Sequence, residues 1–411
     1  MRKKKNLSMS HPKEISIASY QYDLPDEKIA QYPVEPRDSS KLLTYRKGET
    51  GHSTFNKLPN ELPSNTHLIF NNTKVVPARL FFRNRNGRVI EVFCLEPQSE
   101  PSAELALSQT ESTRWWCMVG GAKKWKEETL TLQTGRGDLL NVKKIDREDA
   151  RFLIEFSWEP KDLTFSQLLE EAGKVPLPPY MTREAEEEDK SRYQTVFAKV
   201  EGSVAAPTAG LHFTPSVLTD IEKEKINSSQ VTLHVSAGTF RPVQTDKIGD
   251  HAMHGEFFEV SKNTVEELLK TDDKTLITVG TTAMRTMESL YWVGAQIAKH
   301  GFKMEMPFRI GQWEPYDEPW DASRGESLQM ILEYMKHHKI DKLSGQTEII
   351  IAPGYEFKFC NGLITNFHQP GSTLLLLVAA LIGSDWKKVY DYALNNDFRF
   401  LSYGDSSLLI P

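Results

Sequence analysis

The chain changes its period between Pro77 and Trp158, and that change limits the folds open to it. Over this stretch short β-rich runs (ARLFFR, RVIEVFCLEP, RWWCMV, TLTLQTG, RFLIEFSW) are broken by Asn and Gly, notably at 84–87 and at Gly120 and Gly121. Short strands at regular spacing, punctuated by turn formers, predict a small β-barrel. Helix-like sequence resumes at 163–172, so the barrel reads as an insertion into a larger domain. Residues 1–76 and 159–411 would form a discontinuous main domain, with 77–158 inserted. Beyond Tyr193 strands and helices alternate. Residues 230–235 read as a strand, 264–270 as a helix, 275–279 as a buried strand and 283–290 as a helix. Residues 349–352 and 362–365 read as strands, and 374–382 as an apolar helix. An opening helix signal starts near Asp23 and stops at Pro33. The expected fold class is α/β (α+β) and multidomain: a layered α/β main domain carrying an inserted small β-barrel.

Composition narrows the setting. A chain of 411 residues exceeds the size at which one core stops growing. Three dispersed cysteines, Cys94, Cys117 and Cys360, argue against a disulfide framework or a cysteine-based zinc site and for a reducing compartment. The basic residues Arg2 to Lys5 precede no apolar stretch, which is unlike a signal peptide. The longest apolar run, 374–382, is too short for a membrane span. A cytoplasmic protein without a membrane partner is expected. The net charge of −6 gives no global basic footprint for nucleic acid. A local patch can still operate, because charges act over only about 8–10 Å in salt.

Chemistry-bearing residues gather in short motifs. In VAAPTAGLHFT, small residues admit a ligand to the backbone beside Thr208, Gly210 permits positive φ, and His212 can move protons. In DHAMHGE, His251 and His254 with Asp250 or Glu256 offer ligands that zinc accepts. Their spacing is not HExxH and no third ligand is near, so hydrogen-bonded histidines, proton transfer or substrate contact stand beside the metal reading. In VGTTAMR, Gly280, Thr281 and Thr282 follow a strand and open a helix, whose N–H groups favour an anion. Arg285 can pair with a ligand carboxylate or with an acidic neighbour. In TNFHQPGST, Ser372 or Thr373 explains a helix cap, whereas Asn366 and His368 are left over. The cluster Asn71, Asn72 and Thr73 with Lys74 and Arg79 makes a turn or positions a phosphate. The acidic run 184–189 reads as a solvated loop or helix face.

Taken in order, RDSSKLL, FNNTKVVPARL, LPPY with YQTVFA, VAAPTAGLHF, HVSAGTFRPV, DHAMHGE, VGTTAMRTMES, NFHQPGSTLLLLVAA and FRFLSYGD resemble the S-adenosylmethionine:tRNA ribosyltransferase-isomerase family, from about Tyr22 to Asp405. The resemblance implies a layered α/β domain with an inserted barrel. It also implies transfer and isomerisation of the ribosyl part of S-adenosylmethionine onto 7-aminomethyl-7-deazaguanine at a tRNA wobble position. Epoxyqueuosine forms while adenine and methionine leave. S-adenosylmethionine is then a co-substrate, no cofactor or metal is needed, tRNA is the partner, and a monomer is expected. Hydrogens on the ribose 5′ carbon are acidified by the sulfonium, and His212, His254 or His368 would remove one. Asp250 or Glu256 would meet departing adenine. Thr208, Gly210, Thr281, Thr282, Arg285 and Asn366 would hold S-adenosylmethionine, with Arg285 or Thr282 on its carboxylate. Asn72, Lys74, Arg79 and Arg241 would meet tRNA. Departures at Ser236, Gln369, Gly371 and Ser406–Ser407 bear on substrate, and 301–345 looks like added sequence, either a tRNA-contact surface, a lid or drift. The alternatives are a paralogue that binds tRNA or a nucleotide-like ligand without turnover, and a metallohydrolase at His251 and His254.

Overall fold

Apolar runs bounded by turn residues become central strands in the computed structural model, which describes residues 11–98, 102–126, 128–236, 243–271, 273–318 and 320–411. The chain divides into two units, one of 1–71, 208–232 and 241–411, the other of 72–207 and 233–240.

The first unit is built on a ten-stranded sheet. From one edge its strands are Phe308–Ile310, Lys342–Thr347, Glu256–Ser261, Asn227–Leu233, Thr66–Asn71, Thr275–Val279, Gly362–Asn366, Ser406–Ile410, Lys41–Arg46 and Glu49–Thr54. The four strands from Asn227–Leu233 to Gly362–Asn366 pair in parallel. Every residue of Thr66–Asn71 and of Gly362–Asn366 is buried, as strands covered on both faces require. Their carboxyl ends fall at Asn71, Val279 and Asn366, so the loops that follow share one edge of the sheet.

The helix Thr281–His300 leaves that edge and is buried over most of its length. It packs on the helix Arg324–His338, which opens with a capping box between Ser323 and Glu326. A Cβ at Gly294 would lie 2.2 Å from Ser327 Oγ, so only glycine lets these two helices approach. The stretch 301–345 is therefore no appendage: it supplies an edge strand, this packing helix and the start of the strand Lys342–Thr347.

Three readings of this unit change. The signal after Asp23 yields only the 3-10 turn Asp26–Lys28, because Pro25 and Pro33 leave too little chain for a helix. Residues 349–352 are buried but are not a strand; Ile349 N–H donates to Thr347 Oγ1 and Ile350 N–H to Gln312 O. Gly210 lies in the 3-10 turn Thr208–His212, and the positive φ of 89° falls at Gly280 instead. The apolar helix forms as Thr373–Ile382, with Ser372 Oγ accepting from Leu375 N–H at 3.2 Å.

The second unit holds a six-stranded antiparallel sheet in the order Arg79–Arg83, Val89–Pro97, Ser112–Gly120, Arg151–Glu159, Leu139–Glu148, Thr129–Gln133. Its first and last strands approach each other, so the sheet curls into a nearly closed barrel. Trp115, Phe156 and Trp158 fill it and meet Phe165 of the helix Phe165–Ala172. The unit takes in more chain than 77–158: Thr73–Val75 pairs in parallel with Val200–Ser203, and residues 160–207 belong with it. The acidic run 184–189 is not wholly solvated, since Asp189 is fully buried and bonds Arg183 through both carboxylate oxygens at 2.6 and 2.8 Å.

Candidate active site

The carboxyl edge of the ten-stranded sheet collects the polar motifs of the first unit. Asn71 ends its strand and donates from Nδ2 to Thr282 Oγ1 at 3.3 Å. Gly280 N–H bonds Ile364 O at 2.8 Å, which ties the helix start to the neighbouring strand. No side chain caps Thr281–His300. Its first turn, carrying Thr281 and Thr282, thus presents backbone N–H groups at the sheet edge. A Cβ on Gly280 would lie 3.7 Å from Ala209, which brings the turn Thr208–His212, including Gly210, against this helix end.

His212 is buried in that turn. Its Nδ1 lies 2.8 Å from Ser40 Oγ and its ring 5.0 Å from Phe55. Burial lowers its pKa to about 3, aided by the charges of Arg399 and Arg37, while Asn366 opposes the shift. The imidazole is accordingly neutral at physiological pH. Asn366 donates from Nδ2 to Leu401 O at 2.9 Å. His212 Nε2 and Asn366 Oδ1 are both buried and neither completes a hydrogen bond of good geometry. These two buried atoms interact without completing a well-formed bond, which costs folding energy of about 1–3 kcal/mol and fits a ligand that would bond them.

His368 reaches the same strand end differently. Its Nε2 lies 3.0 Å from Thr365 Oγ1, its N–H donates to Tyr390 at 3.0 Å, and its carbonyl accepts from Tyr22. Burial alone lowers its pKa to about 3. Consecutive strand residues face opposite ways, so His212 beside Asn366 and His368 beside Thr365 approach this strand end from opposite sides.

One helical turn beyond Thr281, buried Arg285 pairs with Glu256 and donates from Nε to Ile349 O at 3.3 Å. Its Nη2 is buried without a partner. The Glu256 carboxylate is thereby committed to a guanidinium rather than poised to donate a proton. The loop that leads into Glu256 carries Asp250 and His254, both exposed, and half-buried His251. Burial, then the charge of His254, lowers the His251 pKa. Among the described residues no group of three or more His, Cys, Asp or Glu side chains is placed to hold a metal ion.

The remaining candidates lie in the other unit. Lys74 is bound to Glu201 at 2.8 Å, which raises its pKa and neutralises its charge, and Glu201 also accepts from Ser166. Arg79 is bound to Glu91 at 2.6 Å. Asn72 gives its carbonyl to Lys199 N–H and Val200 N–H at 2.8 and 3.2 Å. Arg241 lies outside the described residues.

Sequence reasoning singled out neither Ser40 nor Arg399, and placed Asn71 only in a turn or phosphate-positioning cluster. All three sit inside short motifs (RDSSKLL, FNNTKVV and FRFLSYGD), and that co-occurrence was the available signal.

Residues 17–409 match the family described as "Queuosine biosynthesis protein". The S-adenosylmethionine:tRNA ribosyltransferase-isomerase of Desulfitobacterium hafniense is 35% identical over 404 residues, covering 96% of this chain and 100% of that protein. The protein of the same name from Legionella pneumophila is 38% identical over 396 residues, covering 95% and 98%. A crystal structure of S-adenosylmethionine tRNA ribosyltransferase from Thermotoga maritima aligns over 95% of this chain and 99% of that chain at 27% identity, with a TM-score of 0.45. Among the described residues no helix is long and apolar enough to cross a membrane.

Proposed function

The chain belongs to the queuosine biosynthesis protein family, and we infer that it catalyses the reaction its relatives are named for. It is a transferase-isomerase that moves the ribosyl part of S-adenosylmethionine onto 7-aminomethyl-7-deazaguanine in the wobble position of tRNA. Epoxyqueuosine forms, and adenine and methionine depart.

One observation carries the placement of this chemistry. His212 Nε2 and Asn366 Oδ1, both short of partners, sit beside an uncapped helix start in the first unit. A polar nucleoside bonds both atoms and relieves their desolvation. The N–H groups at Thr281 and Thr282 take the methionine carboxylate, as a helix start takes anions. Arg285, held by Glu256, braces the turn beneath them.

The base is chosen by strength. Removing a hydrogen from the 5′ carbon asks for a base titrating near the working pH. His212 and His368, pushed to about 3, are unprotonated at physiological pH but weak bases. We assign proton abstraction to His254, the candidate histidine that stands exposed, in the loop ahead of Glu256, with Asp250 of that loop meeting departing adenine. His212 serves as a neutral hydrogen-bonding contact.

Incubation with S-adenosylmethionine and tRNA bearing the aminomethyl base is expected to release adenine stoichiometrically with epoxyqueuosine. Tight tRNA binding with no adenine released would instead establish the paralogue that binds without turnover. Within an active enzyme, His254→Ala should lower kcat by about 10²–10⁴-fold with folding unchanged. His212→Ala should act mainly through the KM for S-adenosylmethionine. The opposite split would transfer the base to His212.

A further inference from the structure

Many basic side chains at the surface of the barrel unit are matched to a carboxylate. Arg114 pairs with Glu155, Arg136 with Glu171, Lys143 with Glu128, Arg151 with Glu96 and Glu148, and Lys161 with Glu111. Two adjoining turns are different. Arg83, Arg88, Lys123 and Lys124 are exposed and make no ion pair among the described residues.

The turns are fixed to each other from below. Asn84, 7% exposed, accepts from Asn86 N–H and Arg88 N–H at 3.0 Å each, and donates from Nδ2 to Lys124 O at 2.9 Å. Arg83 reaches back to Gly87 O at 3.0 Å. Lys144 lies alongside, donating to Trp125 O at 2.8 Å with its ammonium 5.0 Å from the centre of the buried Trp125 ring. Arg85 and Lys126 flank the group. The backbone beneath Arg83, Arg88, Lys123 and Lys124 is ordered by hydrogen bonds, while these four side chains are exposed. Gathering unpaired like charges costs self-repulsion, and nothing in the barrel's packing calls for it.

We propose that these two turns form a docking surface for the phosphodiester backbone of the RNA substrate, with Arg83, Arg88, Lys123 and Lys124 as the phosphate contacts. This rests on the reading of the chain as a tRNA-modifying enzyme. It also moves the RNA contacts away from Lys74 and Arg79, whose charges are already answered by Glu201 and Glu91. Phosphate contacts position an RNA without reading its bases, and each one neutralised releases counterions, so binding through them is salt-dependent. A chain of net charge −6 can bind a polyanion this way, because only charges within about a Debye length of the patch are felt.

The test compares wild type with the quadruple variant Arg83→Gln, Arg88→Gln, Lys123→Gln, Lys124→Gln, and with Lys161→Gln as a control for loss of one surface charge. Adenine release is followed against tRNA concentration at several salt concentrations, with thermal unfolding recorded for each protein. The quadruple variant should keep its melting temperature, its kcat and its KM for S-adenosylmethionine. Its KM for tRNA should rise by at least tenfold at low salt, and the slope of log KM against log salt should flatten by about 3 units. An unchanged KM for tRNA and an unchanged slope would overturn the proposal. So would an equal effect from Lys161→Gln. Wild type that releases no adenine would instead refute the functional reading, and direct tRNA binding by wild type and variant would still judge the surface.

Discussion

The carboxyl edge of the ten-stranded sheet and the turns of the barrel use polar residues in opposite ways. At the sheet edge the groups are buried and short of partners: His212 Nε2, Asn366 Oδ1 and Arg285 Nη2. At the barrel turns the backbone is satisfied and the charges stand in water. A dry site discriminates a small ligand, since a mismatched ligand leaves buried groups unpaired. A wet charged surface suits a large polyanion, which it attracts at range and orients without fine geometry. The difference teaches that two substrates of unlike size call for two kinds of polarity, and that one chain of net negative charge can supply both.

Two ion pairs put that contrast to its hardest trial. Glu256→Gln strands the buried Arg285 guanidinium and should destabilise the protein by about 3–5 kcal/mol, read as a fall in urea midpoint. Glu91→Gln removes the partner of Arg79 on the barrel and should cost under about 1 kcal/mol. Equal losses would erase the distinction between the regions.

Acid provides the next largest effect. His212 and His368 have native pKa values near 3, below the unfolded value of about 6.5. The unfolded chain therefore binds more protons below about pH 6.5. The stability these neutral histidines confer is complete above that pH and drains away as pH falls toward 3. Each should contribute about 1.4 kcal/mol per pH unit to the slope of stability between pH 6 and 4.5. His368→Gln should lower the slope by that amount, and an unaltered slope would mean that His368 takes up its proton in the native state. Over the same range neither histidine should produce a limb in the pH–rate profile.

A smaller effect is expected at Ser40. Ser40→Ala frees His212 Nδ1 and should raise the KM for S-adenosylmethionine about tenfold, the worth of roughly one hydrogen bond. The smallest belongs to Lys74→Gln, which should change the KM for tRNA by less than about twofold, because Glu201 already neutralises that lysine. A large change would return Lys74 to the RNA interface.

Much of this architecture was legible because period and punctuation are local. TLITV read as a buried strand and 362–365 as a strand, both became central ones, and Gly280 marked the turn between strand and helix. The motifs DHAMHGE, VGTTAMR and TNFHQPGST pointed to segments that fold onto one sheet edge. What did not show was partnership. Nothing in VGTTAMR tells that Arg285 turns to Glu256 rather than to a ligand, or that Ser40, far off in sequence, holds His212. Residues 349–352 looked like a strand, since apolar burial alone does not distinguish a paired segment from one whose N–H groups bond a loop.

The sequence by itself therefore determined most of the elements, the inserted barrel of short strands, and the small set of motifs in which chemistry resides. Only the tertiary structure decided which histidines are desolvated to near pKa 3, which cations are answered by carboxylates, and which are left to water. The physical reason is range. Backbone propensity and hydrophobic period act within a few residues of one another. Desolvation and Coulomb energy depend on what surrounds a group in space, and those neighbours come from distant parts of the chain, as Ser40 and His212 do, 172 residues apart.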